Sequence, residues 1–186
     1  STNDAANLVF CGGTLQYTGG SVTIDRNYTL ATGTTNSIDV TQNTTNLNIS
    51  GASTASTGAL RKLGDGTLTL GGANLYTGLT SVLDGTLAAG INNALATGAV
   101  TVNGGIYNID GFSDSVGTVT LTDGSILGTT GGLTGSSFAV QNGLITAILG
   151  GAGNLAKTTA GTVTLSGLNT YTGSTTLSAG TLIVNV

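Results

Sequence analysis

The feature that most constrains this chain is an internal repeat of 33 residues. Residues 58–90 read GALRKLGDGTLTLGGANLYTGLTSVLDGTLAAG, and residues 153–185, which begin 95 positions later, read GNLAKTTAGTVTLSGLNTYTGSTTLSAGTLIVN. Sixteen of the 33 aligned positions are identical, and Lys62 and Lys157 are one of the matched pairs. A chain that repeats itself in this way is most often a stack of similar structural units.

A weaker repetition extends beyond these two stretches. Residues 10–17 align with residues 102–109, so we expect one domain, 1–186, made of two tandem units at about 5–90 and 98–185. Each unit must contain several rungs, because a repeat that stacks as a solenoid typically takes roughly 20 to 25 residues. The sequence therefore predicts roughly eight rungs, which at ~4.8 Å per rung give a stack of roughly 35–40 Å.

Apolar and polar residues alternate with period two along the chain. Pairs such as Ile38/Val40 and Leu68/Leu70 skip one polar residue, which places apolar side chains on one face of a strand. Glycine-containing dipeptides separate these runs and supply the positive φ that tight corners need. We expect strands of about three to six residues, no amphipathic helix and an all-β fold, a parallel β-helix with a narrow apolar interior. The corner dipeptides are Gly12-Gly13, Asp65-Gly66, Asp84-Gly85, Asn103-Gly104, Asp123-Gly124 and Asn142-Gly143.

The composition excludes several classes of function. The net charge is −4 with four Lys and Arg residues, too few cations to neutralise a run of phosphates, so we expect no nucleic-acid partner. No apolar run approaches the ~20 residues of a membrane helix, so we expect no membrane insertion by this segment. His is absent and Cys11 is the one cysteine, so the chain alone cannot form a zinc site or a Ser-His-Asp triad. We interpret Cys11 as a small, partly buried side chain, with an intermolecular bridge or a reactive thiol as the alternative.

One group of charged residues lies inside the repeat. Arg61-Lys62 and Asp65 combine a carboxylate with cations, as a carbohydrate-active β-helix enzyme requires. The second copy keeps only Lys157, so we interpret the group as a solvated corner. We therefore predict no enzyme activity and no catalytic residue.

A loose acidic series follows in the second unit. Asp110, Asp114 and Asp123 are interpreted as turn-capping residues, with a weak Ca²⁺ site as the alternative. The sequence predicts no residue that binds a metal or a cofactor.

We interpret three further motifs as structural. Tyr76 and Tyr171 occupy the same place in each copy and are expected to pack over a corner rather than line a carbohydrate-binding ridge. Glycosylation patterns begin at Asn27, Asn43 and Asn48 and are expected to arise by chance in a chain rich in Thr and Asn. The Thr-x-Thr pairs are spaced too irregularly for an ice-binding ladder and are interpreted as solvent-facing strands: Thr67/Thr69, Thr118/Thr120 and Thr162/Thr164.

Residues 58–87 resemble the autotransporter-associated β-strand repeat, also called the passenger-associated transport repeat. Its pattern is G-x-L-x-K-x-G-x-G-T-L-T-L-x-G-x-N-x-Y-T-G-x-T-x-V-x-x-G-T-L, and residues 153–182 match it with Thr159 in place of Gly and Leu177 in place of Val. The resemblance implies a right-handed β-helix on the surface of a Gram-negative-type bacterium. It also implies a role in secretion and stalk formation rather than catalysis, as a segment of a passenger or a secreted protein built from such repeats.

The first and last segments of the chain also read as strands. Residues 7–10 and 181–186 carry no capping segment, and exposed strand edges pair readily with another chain. We expect the partner to be the chain itself, either as adjacent repeats of a longer chain or as subunits stacked end to end. The main hypothesis is an extracellular structural module, a stalk, a spacer or a fibre-forming subunit. The alternatives are an adhesin-type module that binds a surface glycan and, less favoured, a carbohydrate-active enzyme.

Overall fold

The structure, a computed structural model, describes residue 4 and residues 8–185. In this part of the chain the regular elements are nineteen β-strands, and every pairing between them is parallel. The described residues include no helix long and apolar enough to cross a membrane.

The chain winds into a β-solenoid of about nine turns, each of which passes through three faces in the same order. Face I consists of β1 (Val9–Phe10), β4 (Thr29–Leu30), β15 (Ile148–Gly150) and the first segments of β12 (Asp114–Gly128) and β13 (Gly132–Val140). Face II consists of β2 (Thr14–Tyr17), β5 (Thr35–Val40), β7 (Ala59–Leu63), β9 (Thr80–Val82), β16 (Asn154–Lys157), β18 (Thr175–Leu177) and segments of β11 (Val100–Asp110), β12 and β13. Face III consists of β3 (Val22–Ile24), β6 (Asn46–Ile49), β8 (Thr67–Leu70), β10 (Thr86–Ala89), β14 (Gly143–Ile145), β17 (Thr162–Leu165), β19 (Thr181–Val184) and segments of β11 and β12.

We number the turns 1 to 9 in chain order, so that β7 and β8 lie in turn 3 and β16 and β17 in turn 8. The two copies of the 33-residue repeat therefore occupy the same faces, five turns apart. The weaker alignment does not keep its position, because Phe10 lies on face I whereas Val102 lies on face II. The division into two units stays a prediction, and its expected start at Ala5 lies outside the described residues.

Three strands are longer than the three to six residues expected from the sequence. β11, β12 and β13 run for 11, 15 and 9 residues because they continue through the corners instead of ending there. In β11 the register with β12 shifts on both sides of Asn103, and Gly104 has a φ of 106°. A local irregularity thus bends the strand while the ladder continues on the next face.

The interior is a stack of apolar side chains, as the period-two pattern predicts. In turn 1 the pattern is incomplete, because Val22 remains exposed there. The other predicted pairs are buried in the core: Ile38/Val40, Leu47/Ile49, Leu68/Leu70, Val100/Val102, Val119/Leu121 and Val163/Leu165.

The predicted fold class, an all-β parallel β-helix, is confirmed. The turns number about nine rather than roughly eight because the later ones are short: from turn 5 to turn 8, register partners lie 16 to 20 residues apart, against 23 to 25 between turns 1 and 2 on faces II and III. The right-handed sense stays a prediction. The strands expected to begin at Asn7 and to reach Val186 extend outside the described residues.

Candidate functional site

Both lysines of the chain lie inside the solenoid, at the corner between faces II and III. Lys62 is fully buried in turn 3. Its Nζ donates to the carbonyl oxygens of Leu63 at 2.8 Å and Gly64 at 2.6 Å, and to that of Asp84 at 3.3 Å. The first two carbonyls belong to the same turn as the lysine and the third belongs to turn 4, so the ammonium group joins two turns.

The second copy repeats this arrangement. Lys157 is fully buried in turn 8, and its Nζ donates to the carbonyl oxygen of Thr159 and, at 3.4 Å, to that of Ala179 in turn 9. Thr159 stands where the repeat pattern has Gly, but it still accepts through its backbone carbonyl. Its Oγ1 adds a further contact at 3.4 Å.

The interpretation of Arg61-Lys62 and Asp65 as a solvated corner is wrong for Lys62. Arg61 and Asp65 are exposed, but strand alternation turns Lys62 inward between them. Burial lowers the pKa of Lys62 to about 8, while the negative charges of Asp84, Asp39 and Asp65 oppose the shift. The expected cluster of cations and carboxylate therefore does not form one surface site.

A second set of buried polar groups joins the turns next to face I. Asn74 is buried, and its Oδ1 accepts from the Tyr28 hydroxyl at 2.8 Å and from the Ser53 N–H at 2.9 Å. Its Nδ2 donates to the carbonyl oxygens of Gly72 at 3.0 Å and Ala94 at 2.7 Å. One amide side chain thus connects backbone and side-chain groups from turns 2 to 5.

Asp114 continues these buried contacts into turn 6. Its carboxylate accepts from the Tyr107 hydroxyl and, at 3.2 Å, from the Leu95 N–H. Burial raises the pKa of Asp114 to about 6, while these two hydrogen bonds act in the opposite direction. Burial also raises the pKa of Tyr107 well above its usual value, and the charge of Asp114 adds to that shift.

The acidic series is thus not one site. Asp123 caps a turn as expected, because its Oδ1 accepts from the Gly124 N–H at 2.9 Å. Asp110 accepts instead from the Thr129 hydroxyl at 3.1 Å, and the turn-capping interpretation is wrong for Asp114, which lies inside the solenoid. Within the described residues, no three His, Cys, Asp or Glu side chains come together in a way that could hold a metal ion.

The paired tyrosines pack as predicted. Tyr76 is buried and its hydroxyl lies 2.9 Å from Thr80 Oγ1. Tyr171 makes the same contact with Thr175 at 2.7 Å, and its ring lies 5.9 Å from that of Phe138. Their contacts are structural in both copies.

The remaining motifs of the sequence are Cys11, the three glycosylation patterns and the Thr-x-Thr pairs. Cys11 is exposed, so the prediction of a partly buried thiol is wrong. Asn27 and Asn48 hydrogen-bond to neighbouring turns, and Asn43 is exposed. The Thr-x-Thr pairs do not stack on one another, because one of them lies on face II and the other two lie on face III, five turns apart: Thr118/Thr120, Thr67/Thr69 and Thr162/Thr164.

A groove of about 330 Å³ crosses turns 4 to 6 on the outside of the solenoid. Leu75 is 55% exposed at its wall. The lining residues are uncharged: Ala73, Asn74, Leu75, Asn93, Leu95, Ala96, Thr97 and Ser115.

Stacked parallel strands and polar groups that hydrogen-bond between turns define a β-solenoid scaffold built from repeats. The family described as passenger-associated-transport-repeat matches residues 60–89 and 155–184, the stretches that contain Lys62 and Lys157. A relative, the adhesin BmaC autotransporter of Brucella suis biovar 1 (strain 1330), is 41% identical over 193 residues. This match covers 96% of the chain but only 6% of the relative. No solved structure matches the chain. The chain is a passenger-associated repeat protein and forms a passenger-type module.

Proposed function

We propose that this module is a structural stalk or spacer of a bacterial surface protein. The observation that carries the proposal is that large buried polar side chains form hydrogen bonds between turns: Lys62, Asn74, Asp114 and Lys157. One outward column of face II carries small residues with Arg61 as the one charge in that column, a surface suited to a scaffold: Thr14, Ser37, Arg61, Ser81, Thr101, Thr120, Ala139, Ala156 and Thr176.

The comparisons support the coarser part of this proposal, a passenger module of a surface protein. The relative is named as an autotransporter adhesin, and the chain spans 6% of its length. We infer that the chain is carried to the bacterial cell surface as part of a longer passenger, and that it acts there without enzymatic activity.

Electron microscopy of the native surface protein tests the stalk. A solenoid with ~4.8 Å between turns predicts straight rods of constant width, whose length grows in proportion to the number of repeats. Globular or irregular particles would contradict the proposal.

We propose that further turns, contributed by a longer chain or by a second copy, stack on the ends of the solenoid. Leu177 and Val184 in turn 9 are 54% and 61% exposed, although the residues paired with them in turn 8, Lys157 and Leu165, are buried. An apolar interior that is open in this way is stabilised when another turn covers it.

Light scattering over a concentration series tests end-to-end stacking of this chain. The average mass should rise with concentration, and Val184→Asp should abolish the rise, because a charge would then be buried between copies. Leu75→Asp is the matched control, since Leu75 is equally exposed but lies on the side of turn 4. A stable monomer at high concentration would count against stacking.

An adhesin-type role is the second candidate, favoured by the uncharged groove over turns 4 to 6. Its volume lies at the lower end of the range of small-molecule sites, and its mixture of amides, hydroxyls and apolar side chains suits a neutral glycan. A glycan array probed with the chain and with a Thr97→Trp variant that fills the groove tests this role. Binding that the variant loses supports it, and an array without hits removes it.

A further inference from the structure

We propose that each of the two repeats is a two-turn latch, in which a lysine buried in one turn binds the backbone carbonyls at the corner of the next turn. The inference deepens the proposed scaffold function. The purpose of the latch rests on that proposed function. The geometry of the latch itself comes from the two buried lysines.

The same acceptors occur in both copies although their side chains differ. The ammonium group of each lysine reaches the carbonyl oxygens two and 22 residues further along the chain. In the first copy these carbonyls belong to Gly64 and Asp84, and in the second they belong to Thr159 and Ala179. Because Gly is exchanged for Thr and Asp for Ala, the lysine recognises backbone rather than side chains.

Packing alone does not require a lysine at this position. Lys62 stands in register between Ile38 and Val82, and the same interior column continues through apolar residues in turns 5 to 7. An ammonium group without partners is costly to bury, whereas an apolar residue there is not. The converging carbonyls are what make a lysine acceptable in turn 3, and the lysine in turn supplies the donors they need.

A glycine in the next turn completes each latch. Gly85 and Gly180 lie 23 residues after the two lysines and have φ values of 52° and 72°. A Cβ at Gly180 would lie 2.5 Å from Lys157 Nζ, and one at Gly85 would lie 2.4 Å from the carbonyl oxygen of Gly64. The glycine therefore leaves the room in which the two turns approach each other.

The latches occur where the strands are short. Turns 3 and 4, and turns 8 and 9, consist of strands of three to five residues. Between them, β11 in turn 5 and β12 in turn 6 continue through this same corner, whereas β13 in turn 7 ends at Val140 before it. The lysines thus lie where the backbone ladder is interrupted at the corner, and they supply a connection between turns at that place.

Hydrogen exchange of the native chain, followed by mass spectrometry, tests the latch. Lys62→Met keeps the length of the side chain but removes the donors, and the latch predicts at least tenfold faster exchange at amides of residues 80–89. Turns 8 and 9 should remain unchanged. Val82→Met, at the neighbouring position of the same column, is the matched control and should change exchange less than threefold. Wild-type exchange in Lys62→Met would overturn the latch, and if native rods were still straight by microscopy, the scaffold would stand.

Acetylation of the wild-type chain keeps the proposal testable if Lys62→Met does not fold. The chain has only two lysines, so mass spectrometry after treatment with N-hydroxysuccinimide acetate reads each latch separately. Both lysines should react at least 100-fold more slowly in the native chain than in urea. In Gly85→Ala, reaction at Lys62 should accelerate while Lys157 stays protected. Equal rates for native and unfolded wild-type chain, or an unchanged rate at Lys62 in Gly85→Ala, would overturn the latch.

Discussion

At the scale of single residues, a buried ionisable group is expected to make the stability of this solenoid depend on pH. Asp114 lies inside the solenoid with two hydrogen-bond donors, the Tyr107 hydroxyl and the Leu95 N–H. The other ionisable group that acts on this part of the interior is Tyr76, whose pKa is raised by burial and by the charge of Asp114. The negative charge of the Asp114 carboxylate is therefore stabilised by two neutral donors.

We predict that Asp114 makes the chain more stable in mild acid. Its pKa is about 6 in the folded chain and 3.8 without the fold, so the folded chain binds the proton more tightly. The full stability is present below about pH 4, where both states are protonated, and is lost as the pH rises through about 6. At 1.36 kcal/mol per pKa unit, the loss is at most about 3 kcal/mol.

Urea unfolding at pH 4, 5, 6 and 7 measures this loss. Asp114→Asn should remove the contribution, because the amide oxygen can still accept from Tyr107 but does not ionise. Asp123→Asn is the control, since Asp123 is exposed at a turn and should leave the pH dependence intact. An identical pH dependence in wild type and Asp114→Asn would contradict the assignment.

Gly85→Ala should destabilise the chain because the corner of turn 4 has no room for a Cβ. The substitution combines a positive φ with a contact of 2.4 Å to the Gly64 carbonyl, and each effect costs about 1–3 kcal/mol. Gly20→Ala is the control, because nothing lies within 4 Å of its Cβ position. Thermal unfolding compares the two, and equal midpoints would be inconsistent with a crowded corner.

The sequence identified Lys62 as part of a repeated group, but it did not predict the environment of its side chain. Alternation along β7 places Leu60 and Lys62 on the same inward side, so the period-two pattern taken alone predicts that Lys62 is buried. The usual preference of lysine for water argued for a solvated corner instead. The acceptors could not be predicted, because the carbonyls of Gly64 and Asp84 meet only when two turns stack.

At the scale of elements, side chains replace backbone pairing on part of face I. In the described residues of turns 3 to 5 this face has isolated bridges, Tyr28–Ser53 and Ser56–Tyr76, instead of strands. Asn74 supplies the missing connection through four hydrogen bonds. On this face, Asn74 thus joins turns that the ladders of faces II and III connect elsewhere.

Asn74→Ala should cost about 3 kcal/mol or more, because it leaves several buried polar groups without partners at about 1–3 kcal/mol each. Asn169→Ala is the matched control at the equivalent position of the second copy. Asn169 is half-buried and its Oδ1 accepts from the Leu149 N–H at 2.8 Å, so we expect about 1 kcal/mol. Denaturant unfolding of both variants measures the difference, and equal losses would refute the bridging role of Asn74.

The strands themselves were only partly predictable. Short strands between glycine corners were expected and hold for most of the chain. At Asn103-Gly104 and Asp123-Gly124 the corners exist, but the strands run through them. Dipeptide signals mark a change of direction, whereas the continuity of the ladder depends on register with the neighbouring turns.

At the scale of the whole molecule, the repeat determines the architecture. An offset of 95 residues corresponds to five turns, and it returns Lys157 to the corner that Lys62 occupies five turns earlier. The fold class followed from the repeat and the period-two pattern, because only stacked turns bury the apolar positions of every unit. The number of turns depended on their individual lengths, which the spacing of glycines does not give.

The most direct test of the scaffold is to lengthen it by a whole number of turns. A chain in which residues 58–152 are duplicated gains 95 residues in register, and should fold with its longest dimension increased by about 24 Å, five turns at ~4.8 Å. Duplication of residues 58–142 is the control, since 85 residues are not a whole number of turns and shift every later face. Small-angle X-ray scattering measures the longest dimension. A β-solenoid scaffold predicts a longer rod for the first chain and a misfolded second chain. Similar behaviour of the two chains would contradict this architecture.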